Sequence, residues 1–260
     1  MSTPVLELKD VNKTFGGVRA VSDMTFSVAE GEIAGLIGPN GAGKTTIFNL
    51  ITGVYGVSSG EIFFCGKKID GMKTYDVIGL GIARTFQNLR LFTSSTVLEN
   101  VMTAAQQRHH YSFVEAVSHF GRWRKNEREI REESMELLRR VGLDDRAGQA
   151  AGTLPYGLAR RLEIARAVSL RPKLLLLDEP AAGMNAEEVE HLNSLIISIH
   201  KDFNLTILLI EHHMDVIMNV CPHIICINFG AKIAEGTPSE IQNHPEVLKA
   251  YLGEDKEEDE

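Results

Sequence analysis

Three stretches of the chain are apolar almost without a break: Ile33 to Ile37, Leu174 to Leu177 and Thr206 to Ile210. Each has the length of a strand, and such runs suit strands buried on both faces, as in a parallel sheet covered by helices. They end on Gly38, on Asp178, and on Glu211 with His212. Ligands of parallel sheets sit beyond the carboxyl ends of the strands, so these three clusters are expected to meet at one place. From Val5 to Val28 the pattern is different, alternating apolar and polar residues around a Gly16-Gly17 turn signal, as half-exposed antiparallel strands do. Glu61 to Phe64 continues that pattern. Between Leu91 and Gly152 the strand signal disappears. There the segment Asn126 to Val141 puts Ile130, Ser134, Leu137, Leu138 and Val141 on one helical face, and Gly142 stops the helix. The expected architecture is α/β: a mostly parallel sheet with an N-terminal antiparallel part and an inserted α-helical subdomain.

Composition changes this picture little. The chain has 260 residues, enough for one domain with a sizeable core, and its 43% hydrophobic and 24% charged residues are ordinary globular usage. The net charge is -8. Six acids from Glu254 to Glu260 against Lys256 account for -5 of it and read as a solvated acidic tail. The remaining balance offers no footprint for a phosphate backbone, so no nucleic-acid partner is expected. Cys65, Cys221 and Cys226 have no metal-ligand or disulfide spacing, which fits a reducing compartment. Met1 to Asp10 lacks the basic and apolar regions of a secretory signal, and no stretch of 18 apolar residues occurs, so the chain is expected neither to be exported nor to span a membrane.

The chemistry begins directly after the first apolar run. Gly38-Pro39-Asn40-Gly41-Ala42-Gly43-Lys44-Thr45 matches GxxxxGK[ST] between an expected strand and a helix opening at Thr46. Glycines let backbone N–H groups close around phosphate oxygens, and a helix N-terminus adds a favourable dipole. Gly38, Asn40, Gly41, Ala42, Gly43, Lys44, Thr45 and Thr46 are thus the expected nucleotide cradle. Lys44 would reach the β- and γ-phosphates, and the Thr45 hydroxyl would hold Mg²⁺. Asp178 adds a carboxylate for the metal shell, and Glu179 adds one able to orient and deprotonate water. His212 follows the third strand and is expected within reach of the γ-phosphate, with His213 turned elsewhere.

With these residues in hand, the chain resembles the ATP-binding subunits of ABC transporters over nearly its whole length. The resemblance rests on Gln87 in Arg84-Thr85-Phe86-Gln87, on the signature segment Leu154 to Ala167, and on the order in which these precede His212. It implies a P-loop ATPase domain over 1–254, with an ATPase core at 1–90 and 160–240, a helical subdomain at 91–159, a C-terminal helix at 241–254 and an acidic tail at 255–260. It also implies that Gln87 joins the Mg²⁺ and water network, that Phe15 stacks on adenine, and that Gly157 closes over ATP held by a second subunit. Two transmembrane permease subunits, a second ATP-binding subunit and, indirectly, a periplasmic solute-binding protein are the implied partners, which places the chain at the cytoplasmic face of the inner membrane.

Three positions depart from the family pattern: Pro155 replaces a serine, Leu158 a glutamine and Asn185 an aspartate. They motivate a rival reading as a non-hydrolytic, ATP-sensing subunit. A finer similarity, to branched-chain amino acid uptake, rests on Arg84 to Gln87, Ala181 to Asn185, the charged stretch Trp123 to Arg140, and the run from Glu235 to Glu254. Urea or amide uptake and lipopolysaccharide export are the alternatives within the family.

Overall fold

The computed structural model describes residues 4–108 and 122–252. The acidic tail expected at 255–260 lies outside them, as do the last two residues of the expected C-terminal helix.

Two sheets organise the chain. The N-terminal half-polar pattern forms β1 (Pro4–Phe15) and β2 (Val18–Ala29), which pair antiparallel and join β4 (Ser59–Phe64) and β5 (Lys67–Lys68) in the order β2-β1-β4-β5. The apolar runs become β3 (Ile33–Ile37), β7 (Leu174–Asp178) and β8 (Thr206–Ile210). These lie in a second sheet with β6 (Ile82–Arg84), β9 (His223–Asn228) and β10 (Ala231–Gly236), in the order β10-β9-β3-β8-β7-β6. Every pairing in that sheet is parallel except the terminal β9-β10 hairpin.

The continuous apolar runs are explained by what covers each face. All five residues of β3, β7 and β8 are buried, and successive side chains enter opposite cores. Leu175, Leu177, Ile207 and Leu209 face a helical layer. Leu174, Leu176, Leu208 and Ile210 face the antiparallel sheet together with α1 (Lys44–Ile51), which carries Ile47 and Phe48 into the same core. Fully burying one such side chain contributes roughly 1.5–3 kcal/mol, so a polar residue here would be costly on either face.

The helical layer includes α3 (Val97–Ala105), α4 (Arg122–Arg140), α5 (Tyr156–Val168), α6 (Ala186–Phe203) and α7 (Met214–Val220). α2 (Thr74–Gly79) is a short helix leading into β6. In α4 the stripe of Ile130, Ser134, Leu137 and Leu138 is buried as its spacing predicts, with Val141 just beyond, and Gly142 ends the helix at φ 68°. α5 runs unbroken through residue 160, so the join expected at 159/160 falls inside a helix rather than between elements.

The C-terminal helix expected over 241–254 is replaced by two short ones, α8 (Pro238–Gln242) and α9 (Pro245–Leu252). Thr237 and Glu240 form a capping box that starts α8 with Pro238 at its first position. Pro245 cannot continue α8, because it lacks an N–H and its ring clashes with the preceding turn, so a new helix begins there. β6 and β10 carry no long apolar run and are recruited by their neighbours in the sheet, whereas β9 does carry one, Ile224 to Ile227, all four buried, which the reading of the sequence passed over. Among the described residues no helix is long and apolar enough to cross a membrane.

Candidate functional site

The loop between β3 and α1 closes where the strand packing leaves no room for side chains. A Cβ on Gly38 would lie 2.2 Å from the Ile227 carbonyl oxygen, and one on Gly43 would lie 2.7 Å from that of Ala20. Gly43 also holds φ at 104°, which only glycine adopts without strain, and it is the cap from which α1 starts. The backing strands are tied to the loop: the Gly230 N–H donates to the Ala42 carbonyl at 2.9 Å, and Ser22 N–H to the Gly230 carbonyl at 2.8 Å. Lys44 is buried, and its ammonium donates to the Gly38 and Pro39 carbonyls, the latter at 2.9 Å. This turns a cation back across the loop. Asn40, Gly41 and Thr45 are exposed and Thr46 is half-buried. The result is an uncapped helix N-terminus, glycines and a buried ammonium within one turn of chain, the arrangement that suits a phosphate chain.

At the carboxyl edge of the parallel sheet, three segments far apart in sequence converge. The Gln87 amide donates to Glu179 Oε2 at 2.8 Å, and His212 Nδ1 lies 3.9 Å from the same oxygen. Glu179 holds φ at 46°, an uncommon value for a residue with a side chain, and its N–H donates to the Ile210 carbonyl at 2.9 Å. The strand therefore ends in a turn that lifts this carboxylate between β7 and β8. Its side chain is 17% exposed, and that of His212 is 47% exposed. His213 Nδ1 lies 3.1 Å from Glu211 Oε2, and its ring is 4.2 Å from that of His212.

Asp178 is buried, and Arg84 donates to its Oδ2 at 2.6 Å. The other Arg84 amino group donates to Asn49 Oδ1 at 2.7 Å, joining the last strand of the sheet to α1. A Mg²⁺ ion requires hard oxygen donors, and the Thr45 hydroxyl, the Asp178 carboxylate and the Gln87 amide oxygen make an all-oxygen set. The residues present thus fit that ion.

Phe15 is 39% exposed and meets Tyr55 edge-on, with ring centroids 5.1 Å apart. The Lys13 ammonium lies 4.8 Å over the Phe15 ring. This pair forms a half-exposed aromatic corner on the hairpin that backs the phosphate loop. Gly157 is buried in the first turn of α5, where an added Cβ would lie 2.8 Å from Glu188 Oε1. Pro155 is the N-cap and contributes no side-chain hydrogen bond, so the first N–H groups of α5 are left without a cap from that position. Asn185 starts α6 through a reciprocal capping box with Glu188, so an amide serves there where the family has an acid.

Four residues of this region carry roles that the sequence did not assign to them, although Glu211, Arg84 and Arg160 lie within the runs and motifs quoted above. Glu211 is fully buried and accepts from the N–H groups of Ala181 (2.7 Å), His212 (3.1 Å) and His213 (3.3 Å). Arg84, Tyr55 and the fully buried Arg160 are the others. The available signal was the burial expected of their neighbours: Arg160 shares a helical face with Gly157 and Ile164, and Glu211 directly extends a buried strand.

Comparison with known proteins places this geometry. A family model described as ABC transporter matches residues 21–182, and one described as branched-chain amino acid ATP-binding cassette transporter matches residues 231–257. The chain is 44% identical over 254 residues to the high-affinity branched-chain amino acid transport ATP-binding protein BraF of Pseudomonas aeruginosa, covering 98% of this chain and 100% of that one. It is 40% identical to LivG of Escherichia coli, which bears the same description, with the same coverage. Among solved structures, an ATP-binding cassette of an ABC transporter in its ADP conformation superposes with a TM-score of 0.84 at 29% identity, over 97% of this chain and 100% of that one. A phosphate loop, a lifted carboxylate and a histidine at one sheet edge, in a chain with these likenesses, belong to the ABC transporter family, of which this protein is a nucleotide-binding, ATP-hydrolysing subunit.

Proposed function

We propose that this subunit powers the uptake of branched-chain amino acids, working beneath two permease subunits at the cytoplasmic face of the membrane and paired with a second ATP-binding subunit. The cargo rests on the likeness to BraF and LivG and on the match at residues 231–257. A periplasmic solute-binding protein would deliver it. Two chains would enclose two nucleotides, each phosphate loop facing the α5 N-terminus of the other chain at Gly157. The exposed aromatic corner at Phe15 would take the adenine.

The single observation that carries the catalytic reading is the convergence of Gln87 and His212 on the Glu179 carboxylate. Glu179 orients and deprotonates the attacking water as general base. Gln87, already bonded to that carboxylate, aligns the water, and its amide oxygen would join the metal shell. His212 donates to the γ-phosphate, and Lys44 supplies fixed positive charge across the loop. Thr45 and Asp178 would hold Mg²⁺, which when bound neutralises charge on the β- and γ-phosphates. Because phosphoryl transfer needs positioning and charge stabilisation more than covalent chemistry, three fixed polar groups beside the phosphate loop suffice.

Replacing Glu179 with Gln in the complete transporter tests this. A positioned base is worth about 10²–10⁴-fold, so ATP hydrolysis is expected to fall by at least about a hundredfold while ATP affinity is retained. Hydrolysis within about twofold of wild type removes Glu179 as the base. Uptake of labelled leucine by the wild-type complex in vesicles, set against labelled urea, decides the cargo.

A further inference from the structure

We propose that the buried Arg160–Glu163 pair is a positioning device that grips the Gln87 loop, so that Gln87 meets Glu179 only while α5 holds its place. Among the described residues Arg160 is the largest side chain that is fully withdrawn from solvent. One of its amino groups donates to Glu163 Oε2 at 2.6 Å and to the Phe86 carbonyl at 2.7 Å. The other donates to the Gln87 carbonyl at 2.8 Å and to the Tyr156 hydroxyl at 3.0 Å. Glu163 reaches the loop from its other oxygen, which accepts from the Phe86 N–H at 3.5 Å. The two side chains, one helical turn apart on α5, therefore hold Phe86 by both its N–H and its carbonyl, and hold the next carbonyl as well.

A pair this deep is a weak source of net stability, because removing both charges from water costs about as much as their attraction returns. What it supplies is geometry. The guanidinium is planar, and its forked donors fix two successive carbonyls in direction as well as distance, which a lysine ammonium cannot do. One residue then separates helix from chemistry: the Gln87 carbonyl is held by Arg160, and its side-chain amide is bonded to Glu179. Tyr156, in the first turn of α5 beside Gly157, is held by the same guanidinium. A shift of α5 is thereby transmitted to the Gln87 amide without an intervening flexible segment. The inference rests on the role proposed above for Gln87 beside Glu179.

A double-mutant cycle on the complete transporter tests it, with kcat and KM for ATP measured separately for Arg160→Lys, Gln87→Ala and the double variant. Arg160→Lys is expected to lower kcat about tenfold and leave KM within about twofold, since the loss is one of alignment rather than of nucleotide binding. In the Gln87→Ala background it is expected to lower kcat less than about twofold further. An equal, additive loss in both backgrounds overturns the proposal, as does an unchanged kcat for Arg160→Lys where Gln87→Ala is impaired. A silent Gln87→Ala overturns the role of Gln87 itself and this inference with it. If Arg160→Lys fails to fold, hydrogen exchange on the wild-type complex decides: amides of the 86–88 loop are expected to open together with the first turns of α5. Loop amides that exchange much faster than the helix refute the grip.

Discussion

Replacing His223 with Gln perturbs a charge cluster at the base of the parallel sheet. His223 starts β9, with Nδ1 2.6 Å from Glu32 Oε1 and Nε2 3.0 Å from Glu235 Oε1; Lys232 also pairs with Glu235. The hydrogen bond to Glu235 first, and then the pairing with Glu32, pushes the imidazole up to about 9 against the opposing effect of burial. A histidine in the unfolded chain titrates near about 6.5. The folded value lies above the unfolded one, so the cluster's stabilisation is complete below about pH 6.5 and is lost as pH rises through about 9. The difference of about 2.5 units corresponds to about 3.4 kcal/mol if none of it is screened. The side chain keeps 22% of its surface in solvent, which brings the effective figure to about 1–2 kcal/mol.

The assay is urea unfolding of wild type and His223→Gln at pH 6.5 and pH 10, comparing the difference between the two proteins at each pH. Wild type should lead at pH 6.5, and its lead should shrink by about 1–2 kcal/mol at pH 10. A lead of the same size at both pH values refutes the reasoning. So does a variant as stable as wild type at pH 6.5, because the imidazolium would then not be what joins the two strands to Glu32.

Two further substitutions probe the site. Gly43→Ala places a Cβ 2.7 Å from the Ala20 carbonyl at a φ of 104°; with at least about 1–2 kcal/mol of backbone strain at the start of α1, ATP affinity should fall about tenfold or more by nucleotide titration, and unaltered affinity would show that the loop relaxes freely. Glu211→Gln leaves buried N–H groups facing an amide that is itself half donor. A loss of about 2–3 kcal/mol should lower the melting temperature by roughly 4–12 °C, together with slower hydrolysis as the His212 turn loosens. An unchanged melting temperature would mean that the 180–183 and 212–213 turns do not depend on that carboxylate.

Local pattern made much of this protein readable. Unbroken apolar runs identified β3, β7 and β8, because a strand covered on both faces must be apolar at every position. The spacing of Ile130, Ser134, Leu137 and Leu138 marked α4, because a helix covered on one side repeats every three to four residues. Lys44, Asp178, Glu179 and His212 stood out because each is a polar residue stationed at the end of such a run or in a glycine-rich loop between strand and helix. These are short-range signals, written within about one element of chain.

What stayed hidden depends on distance in sequence becoming closeness in space. β6 is short and β10 half-exposed, and they exist as strands because a neighbour offers them hydrogen bonds; β9, with Ile224 to Ile227 buried, was legible in principle. The two short C-terminal helices follow a break at Pro245 that the apolar spacing alone did not reveal. The pairing of Arg84 with Asp178 spans 94 residues, that of Gln87 with Glu179 spans 92, and that of Arg160 with Phe86 spans 74. No local propensity specifies which of many polar side chains will meet across such separations. The choice is made by the packed sheet and helices, which withdraw Arg84, Asp178 and Arg160 from water, leave each buried donor only the acceptors that the fold has brought beside it, and carry the exposed Gln87 amide to Glu179.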